Sequence, residues 1–195
     1  MKRKIAITLM SLGVLFIFSA CGLLLYNTYE NNQAQESAQG LMQSIQQHIQ
    51  QSAPDTTADP FDTEMTVVDI DGYGYIGYLS VPALNVDLPV MSEWDYRRLK
   101  VAPCRYYGST KTDNLVIAAH NYKTHFGYLG ELQIGDVVFF TDMDAAQRQY
   151  AVTSVEVLPS TAVEQVKDSG DDLILYTCNY SGTKRIVVRC RYTAQ

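Results

Sequence analysis

The 195-residue sequence predicts a mainly β protein, a small closed barrel carried behind one membrane-spanning helix, and three observations point there. An uncharged run of 22 residues occupies positions 5–26. A polar stretch rich in Gln, Asn, Ser, Asp and Thr, with no basic residue, follows it. From residue 73 the pattern switches to short β-rich runs separated by Gly, Pro, Asn and Asp, which is the spacing of strands in a barrel rather than of helices in a bundle.

At the helical rise per residue, the apolar run 5–26 spans a hydrocarbon core of about 30 Å. Lys2, Arg3 and Lys4 precede it, and no basic residue returns until Arg97. The positive-inside rule then keeps the N-terminus in the cytoplasm and sends the C-terminal body outside. The alternatives are a cleaved signal peptide and a lipoprotein signal ending at Cys21, suggested by Ser19-Ala20-Cys21-Gly22. The length of the run and its continuation through Leu23–Leu25 favour an uncleaved anchor. Charge divides the same way. The first 26 residues carry +3, whereas the rest holds 12 basic and 21 acidic residues. An acidic body of this kind is a poor partner for nucleic acid, which selects clustered Lys and Arg.

Residues 27–72 read as a polar stalk. Leu41, Ile45 and Ile49, with His48 beside them, fall at helical spacing in a Gln-rich stretch and predict an amphipathic helix over 33–51. Pro54 and Pro60 break it. Residues 73–195 then form the body. Strands are predicted at 75–81, 86–91, 115–120, 137–141, 149–158, 173–178 and 185–192. Pro89 places the second on an edge, and helical turns are expected within 93–100 and 124–132.

Four cysteines occur, at 21, 104, 178 and 190. Three lie in the body, so at least one thiol there is outside any intramolecular bridge. Cys104 and Cys190 are either bridged or free and buried, two outcomes that spacing alone does not separate. No zinc-type ligand spacing is present, and no metal or cofactor is expected. Acidic loop residues such as Asp142, Asp144, Asp171 and Asp172 offer oxygen ligands of the kind calcium takes, but read first as solvated turns.

Cys178 ends an apolar strand and enters the polar turn 179–182. His120 ends another in the same way. Arg185 opens the strand after Cys178, so a hairpin returns it alongside. A thiol needs a base to become a nucleophile, an imidazole supplies one, and a guanidinium stabilises an oxyanion. Alternation also puts Arg189 and Arg191 on the face of Arg185; proximity to the turn selects Arg185. Tyr106, Tyr107, Tyr122 and Tyr180 are candidate groove liners.

The segment Leu175-Tyr176-Thr177-Cys178, followed by Arg185-Ile186-Val187-Val188, resembles the active-site signature of sortases, the membrane-anchored cysteine transpeptidases of Gram-positive bacteria. TDNLVIAAHNY, ending at Tyr122, resembles their histidine strand, and YIGYLSVP with LNVDLPV resembles their opening strands. The resemblance implies a closed eight-stranded sortase-type barrel with a few short helices. It implies that Cys178 forms a thioacyl-enzyme with an LPxTG-like sorting signal, with His120 as acid and base and Arg185 on the oxyanion. Thr177, Asn121 and Tyr180 are the expected substrate contacts. The partners implied are secreted proteins with a C-terminal sorting signal, and a peptidoglycan-precursor or pilin amine as acceptor. Ile174 stands where the family pattern has Thr, which weakens any subclass. The stalk helix resembles that of class B enzymes, the favoured subclass, whereas Asp59-Pro60-Phe61 resembles the lid of class C. The rival readings are an anchored β-domain that binds a surface ligand with structural cysteines, and another exported cysteine peptidase; a papain-like order is disfavoured because His120 precedes Cys178.

Overall fold

The computed structural model describes residues 2–51, 63–167, 169–179 and 181–193. Its elements run α1 (Lys2–Gln51), β1 (Val68–Ile70), β2 (Tyr73–Val81), β3 (Val86–Met91), β4 (Cys104–Tyr107), β5 (Leu115–Ala119), β6 (Val137–Asp142), β7 (Gln147–Pro159), α2 (Val163–Lys167), β8 (Leu173–Cys178) and β9 (Lys184–Tyr192). The chain forms two compact units, Met1–Gln33 and Ala34–Gln195. The first is helical and is long and apolar enough to cross a membrane, with a mean hydropathy of 2.2 in its most apolar window.

In the second unit the sheet runs β1-β2-β3-β4-β5-β8-β9-β7-β6, and β6 pairs back onto β2. Strands β2 to β9 therefore close the expected eight-stranded barrel, and the short β1 is a ninth strand laid on the first residues of β2. The barrel is mixed: β3–β4 and β5–β8 are parallel and every other pairing is antiparallel. Closure depends on Gly77, where β2 bulges between two neighbours at φ 141°. A Cβ at that position would collide with the Thr141 carbonyl oxygen of β6, so no other residue lets β6 approach this closely.

Alternation along the strands fills the interior with Leu79, Val90, Ile117, Phe140, Leu175 and Val188, among others. Phe126, Leu129 and Leu132, from the connection between β5 and β6, plug one end of this core. A smaller cluster of Val116, Ile174 and Val187 lies on the outer face beneath Val166 of α2.

Most strands fall where the sequence predicts them, but the Pro89 strand is not an edge: β3 pairs with β2 along its length and with β4 at Met91. β1, β4 and α2 are additions, each only three to five residues long. Within 93–100 and 124–132 the predicted helical turns are single 3-10 turns. The predicted stalk helix is real but continuous with the anchor helix, because no breaker precedes Pro54. Its buried stripe is wider than expected. Ala34, Ala38, Met42 and Ile45 are all buried, with Leu41 and Ile49 half-buried, while His48 is exposed. Ile45 is fully enclosed with Tyr75, Met91, Leu99 and Cys104. This half of α1 therefore belongs to the core of the body.

Replacing Ile45 with Ala removes a fully buried side chain from that contact and should destabilise the body by about 3 kcal/mol. Urea unfolding of the full chain in detergent micelles, followed by the fluorescence of its single tryptophan, Trp94, measures this. An unchanged midpoint would mean that residues 34–51 are not part of the cooperative unit.

Candidate active site

The site follows from two strand pairings. β5 and β8 are parallel and in register from Leu115↔Leu173 to Ala119↔Thr177. One residue further along each, the chain reaches His120 and Cys178, so the two occupy the same level at the same end of the barrel. β8 and β9 are antiparallel, and there Cys178 lies directly opposite Arg185. Side chains of such a pair share a face and stand about 5 Å apart at Cβ. All three residues are half-buried.

The turn between β8 and β9 is built to keep Arg185 there. Asn179 closes it twice, through its backbone N–H to the Lys184 carbonyl at 3.0 Å and through its side-chain oxygen, which accepts from the Lys184 N–H at 2.9 Å. Gly182 sits at φ 72° and donates its N–H to the Asn179 carbonyl at 2.9 Å. The Arg185 guanidinium folds back onto the carbonyls of Gly182 and Lys184, at 3.3 and 3.2 Å. Among the described residues no carboxylate pairs with it.

The other two arginines on this face are committed elsewhere. Arg189 bonds Asp171 at 2.8 Å and Glu156 at 3.2 Å, and Arg191 pairs with Asp172 at 3.4 Å. Four residues of strand separate Arg189 from Arg185, about 13 Å. Asp171 and Asp172 are thus ion-pair partners, whereas the Asp142 carboxylate accepts the N–H groups of Asp144 and Ala146 in a tight turn.

His120 is held by its own loop. Its carbonyl accepts the Phe126 N–H at 3.2 Å, and the Tyr122 carbonyl accepts from His125 and Gly127 at 2.9 and 2.8 Å. Since Phe126 is fully buried in the core, the loop is pinned from below. The Tyr122 ring lies 5.0 Å from the His120 ring and 5.6 Å from that of His125. His125 is 1% exposed. Burial, followed by the neighbouring His120, lowers its pKa to about 4.

The expected substrate contacts separate on inspection. Thr177 is buried, and its hydroxyl donates to the Ala119 carbonyl at 2.8 Å. It faces the barrel interior, away from the face that carries Cys178, and ties the cysteine strand to the histidine strand. Asn121 reaches from the histidine loop to the Asn179 carbonyl at 3.5 Å, linking the two loops. Tyr180 and Asp59-Pro60-Phe61 lie outside the described residues. Of the other tyrosines, Tyr106 lines a cleft beside Arg185 and Tyr107 lines a neighbouring one.

That first cleft, about 230 Å³, is mostly apolar, with Tyr176, Tyr106, Trp94, Leu158 and Val166 among its walls and Arg185 also in its lining. Tyr106 meets Tyr176 edge-on at 5.3 Å and Trp94 at 5.8 Å. Its walls come from the β3–β4 loop, β4, β7, the β7–α2 connection, α2, β8 and β9, and of these residues Tyr106 and Arg185 are the candidates the sequence marks. The remaining body thiols are unlike Cys178. Cys104 and Cys190 are free, fully buried, and pushed up to about 12 by burial.

A mixed β-barrel with a thiol, an imidazole and a guanidinium at one rim, in a chain that also carries a long apolar N-terminal helix, defines a class of thiol proteins suited to acyl chemistry. A sortase domain profile matches residues 79–193. The chain belongs to the sortase family, a family of cysteine transpeptidases. It is 27% identical over 121 residues to sortase A of Bacillus anthracis, covering 59% of this chain, and it spans 57% of that relative's length. Among solved structures it resembles a Clostridium perfringens sortase D5 transpeptidase, with a TM-score of 0.62, 14% identity, and 82% of this chain and 99% of that one covered. It also resembles Streptococcus pneumoniae sortase C, with a TM-score of 0.57, 21% identity, and 86% and 90% covered. None of these relatives carries a class B name, so the class B-like expectation gains no support from them.

Two outcomes follow from the site. Brief alkylation of the native chain at pH 8, mapped by mass spectrometry, should modify Cys178 and spare Cys104 and Cys190, whose thiolates are suppressed by burial. His125, neutral when folded, takes up a proton more readily in the unfolded chain, where its pKa is the ordinary value of about 6.5. Stability is therefore full above about pH 6.5 and is lost as pH falls towards 4, by up to about 3 kcal/mol. Urea titrations at pH 7 and pH 4.5 should show that loss reduced in His125→Phe relative to the unmodified chain.

Proposed function

We propose that this chain is a membrane-anchored cysteine transpeptidase, which cleaves an LPxTG-like sorting signal of secreted proteins and transfers the acyl group to an amine of the cell wall or of a pilin. The observation that carries the reading is the register that sets Cys178 opposite Arg185 and level with His120. In this reading the Cys178 thiol yields its proton to His120 as Sγ attacks the scissile carbonyl. The carbonyl π electrons move onto oxygen, and the Arg185 guanidinium, permanently charged, stabilises that oxyanion. His120 returns the proton to the departing amine as the C–N bond breaks, leaving a thioester on Cys178. An incoming amine attacks the thioester, His120 takes its proton, and Sγ leaves to be reprotonated.

The mostly apolar cleft that Arg185 also lines suits the Leu and Pro of such a signal, which bury apolar surface against Tyr176 and Tyr106. The basic tip before the apolar helix supports an orientation with the N-terminus in the cytoplasm and the body outside. Thr177 and Asn121 act in this reading as ties between the cysteine and histidine strands.

Full-length chain in detergent micelles, incubated with LPxTG-like peptides and amine acceptors, should accumulate a mass increment on Cys178 equal to the acyl fragment. Cys178→Ala should form no adduct and no product; a Cys178→Ala chain that still cleaves the peptide overturns the reading. Arg185→Ala should lower kcat about 10²–10³-fold, the usual effect of removing one oxyanion donor.

A further inference from the structure

Arg189 is a cation held in place with unusual completeness for a residue on the outer face of a strand. Its side chain is 15% exposed, and three of its nitrogens are used: Nε to Glu156 at 3.2 Å, Nη1 to Asp171 at 2.8 Å, and Nη2 to the Gln165 carbonyl at 3.1 Å. Those partners belong to β7, to the loop before β8, and to α2. Only the planar fork of arginine reaches three acceptors in different directions at once.

The position of α2 matters because α2 is a wall. Val166 of α2, with Ala162 just before the helix, lines the apolar cleft that Arg185 also lines, and Val166 rests on Val116, Ile174 and Val187. Five residues form this helix, too few to hold a shape of their own. A second fastening lies at its far end, where the Lys167 ammonium sits 5.3 Å from the centroids of both Tyr106 and Tyr107. Tyr106 lines the same cleft. The helix is thus tethered to β9 on one side and to β4 on the other, and the two tethers together set the width of the cleft. Partly buried ion pairs contribute little net stability, so their value here lies in position.

We propose that Arg189 is a positioning residue, which holds α2 at a set distance from Tyr176 and Tyr106 and thereby selects the apolar side chains of the sorting signal that the cleft accepts. The proposal rests on the transpeptidase reading. It places Arg189 outside the chemistry: four strand residues from Arg185, it touches no reacting atom.

The test compares Arg189→Met, Arg189→Lys and Lys167→Met with the unmodified chain at full length in micelles. Amide hydrogen exchange over residues 160–172 is one readout. Steady-state kinetics on LPxTG-like peptides varied at the Leu position is the other. Arg189→Met should speed exchange in this segment, raise KM about tenfold with kcat within about twofold, and flatten the preference among the peptides. Arg189→Lys should restore part of the KM, and Lys167→Met should raise KM in the same direction. Unchanged exchange in Arg189→Met overturns the clamp, whether or not any peptide reacts. Faster exchange with unaltered KM and preference, or a fall in kcat as large as that in kcat/KM, overturns the selective role. Failure of the unmodified chain to form a Cys178 adduct with any peptide instead overturns the transpeptidase reading on which the selective role stands.

Discussion

The parallel pairing of β5 with β8 is the constraint on which the remainder of the site depends. Two strands that run the same way end at the same edge, so their last residues emerge together, here as His120 and Cys178. A parallel pair also cannot be joined by a tight turn. The chain between them must leave and return, and that excursion carries the plug residues Phe126 and Leu129, strands β6 and β7, and the cleft wall α2. The histidine loop and the cleft wall are therefore two parts of one crossover. Thr177 adds a direct tie. Its buried hydroxyl bonds the Ala119 carbonyl one residue before each reactive side chain, a contact of about 1 kcal/mol whose larger effect is on alignment.

Burial and pairing sort side chains that the sequence presents as equivalents. Three thiols lie in the body; two are fully buried with depressed acidity, and one stands half-exposed at a strand end. Three arginines share a face of β9. Two are paired with carboxylates, whereas among the described residues Arg185 meets turn carbonyls and no carboxylate. Its place opposite Cys178 gives that guanidinium chemical meaning.

Elements with strong alternation were legible in the sequence, because a buried face every second residue leaves a pattern that survives without coordinates. The strand containing Tyr75 and the long strand ending at Pro159 are examples. β1 and β4 were not, since three or four residues are too few to show a period. Thr177 illustrates a subtler failure. Its neighbour Cys178 faces outward, so the same alternation turns Thr177 inward, yet resemblance drew it towards the substrate. Arg189 was illegible for another reason: its partners lie 18 and 33 residues away, and only the folded barrel brings them together. The cleft has the same origin, with walls from many separate segments, and of its residues Tyr106 and Arg185 alone were marked in advance.

The second half of α1 alters what counts as the catalytic body. Leu41, Ile45 and Ile49 were visible as an apolar stripe, but Ala34 and Ala38 were not counted because alanine is weakly apolar. In the structure both are buried, and small side chains there let the helix backbone come close to the barrel. Ala34 lies against His125, whose ring is 5.6 Å from that of Tyr122, itself 5.0 Å from the His120 ring. A body cut at residue 52 would lose this cover. It would expose Tyr75, Met91 and Cys104 to water, and it would open the buried side of His125, whose low pKa depends on being dry. Once hydrated, His125 would titrate nearer its ordinary pKa, and its imidazole would change charge close to His120. The second half of α1 therefore completes the core and keeps the imidazole behind Tyr122 dry and neutral.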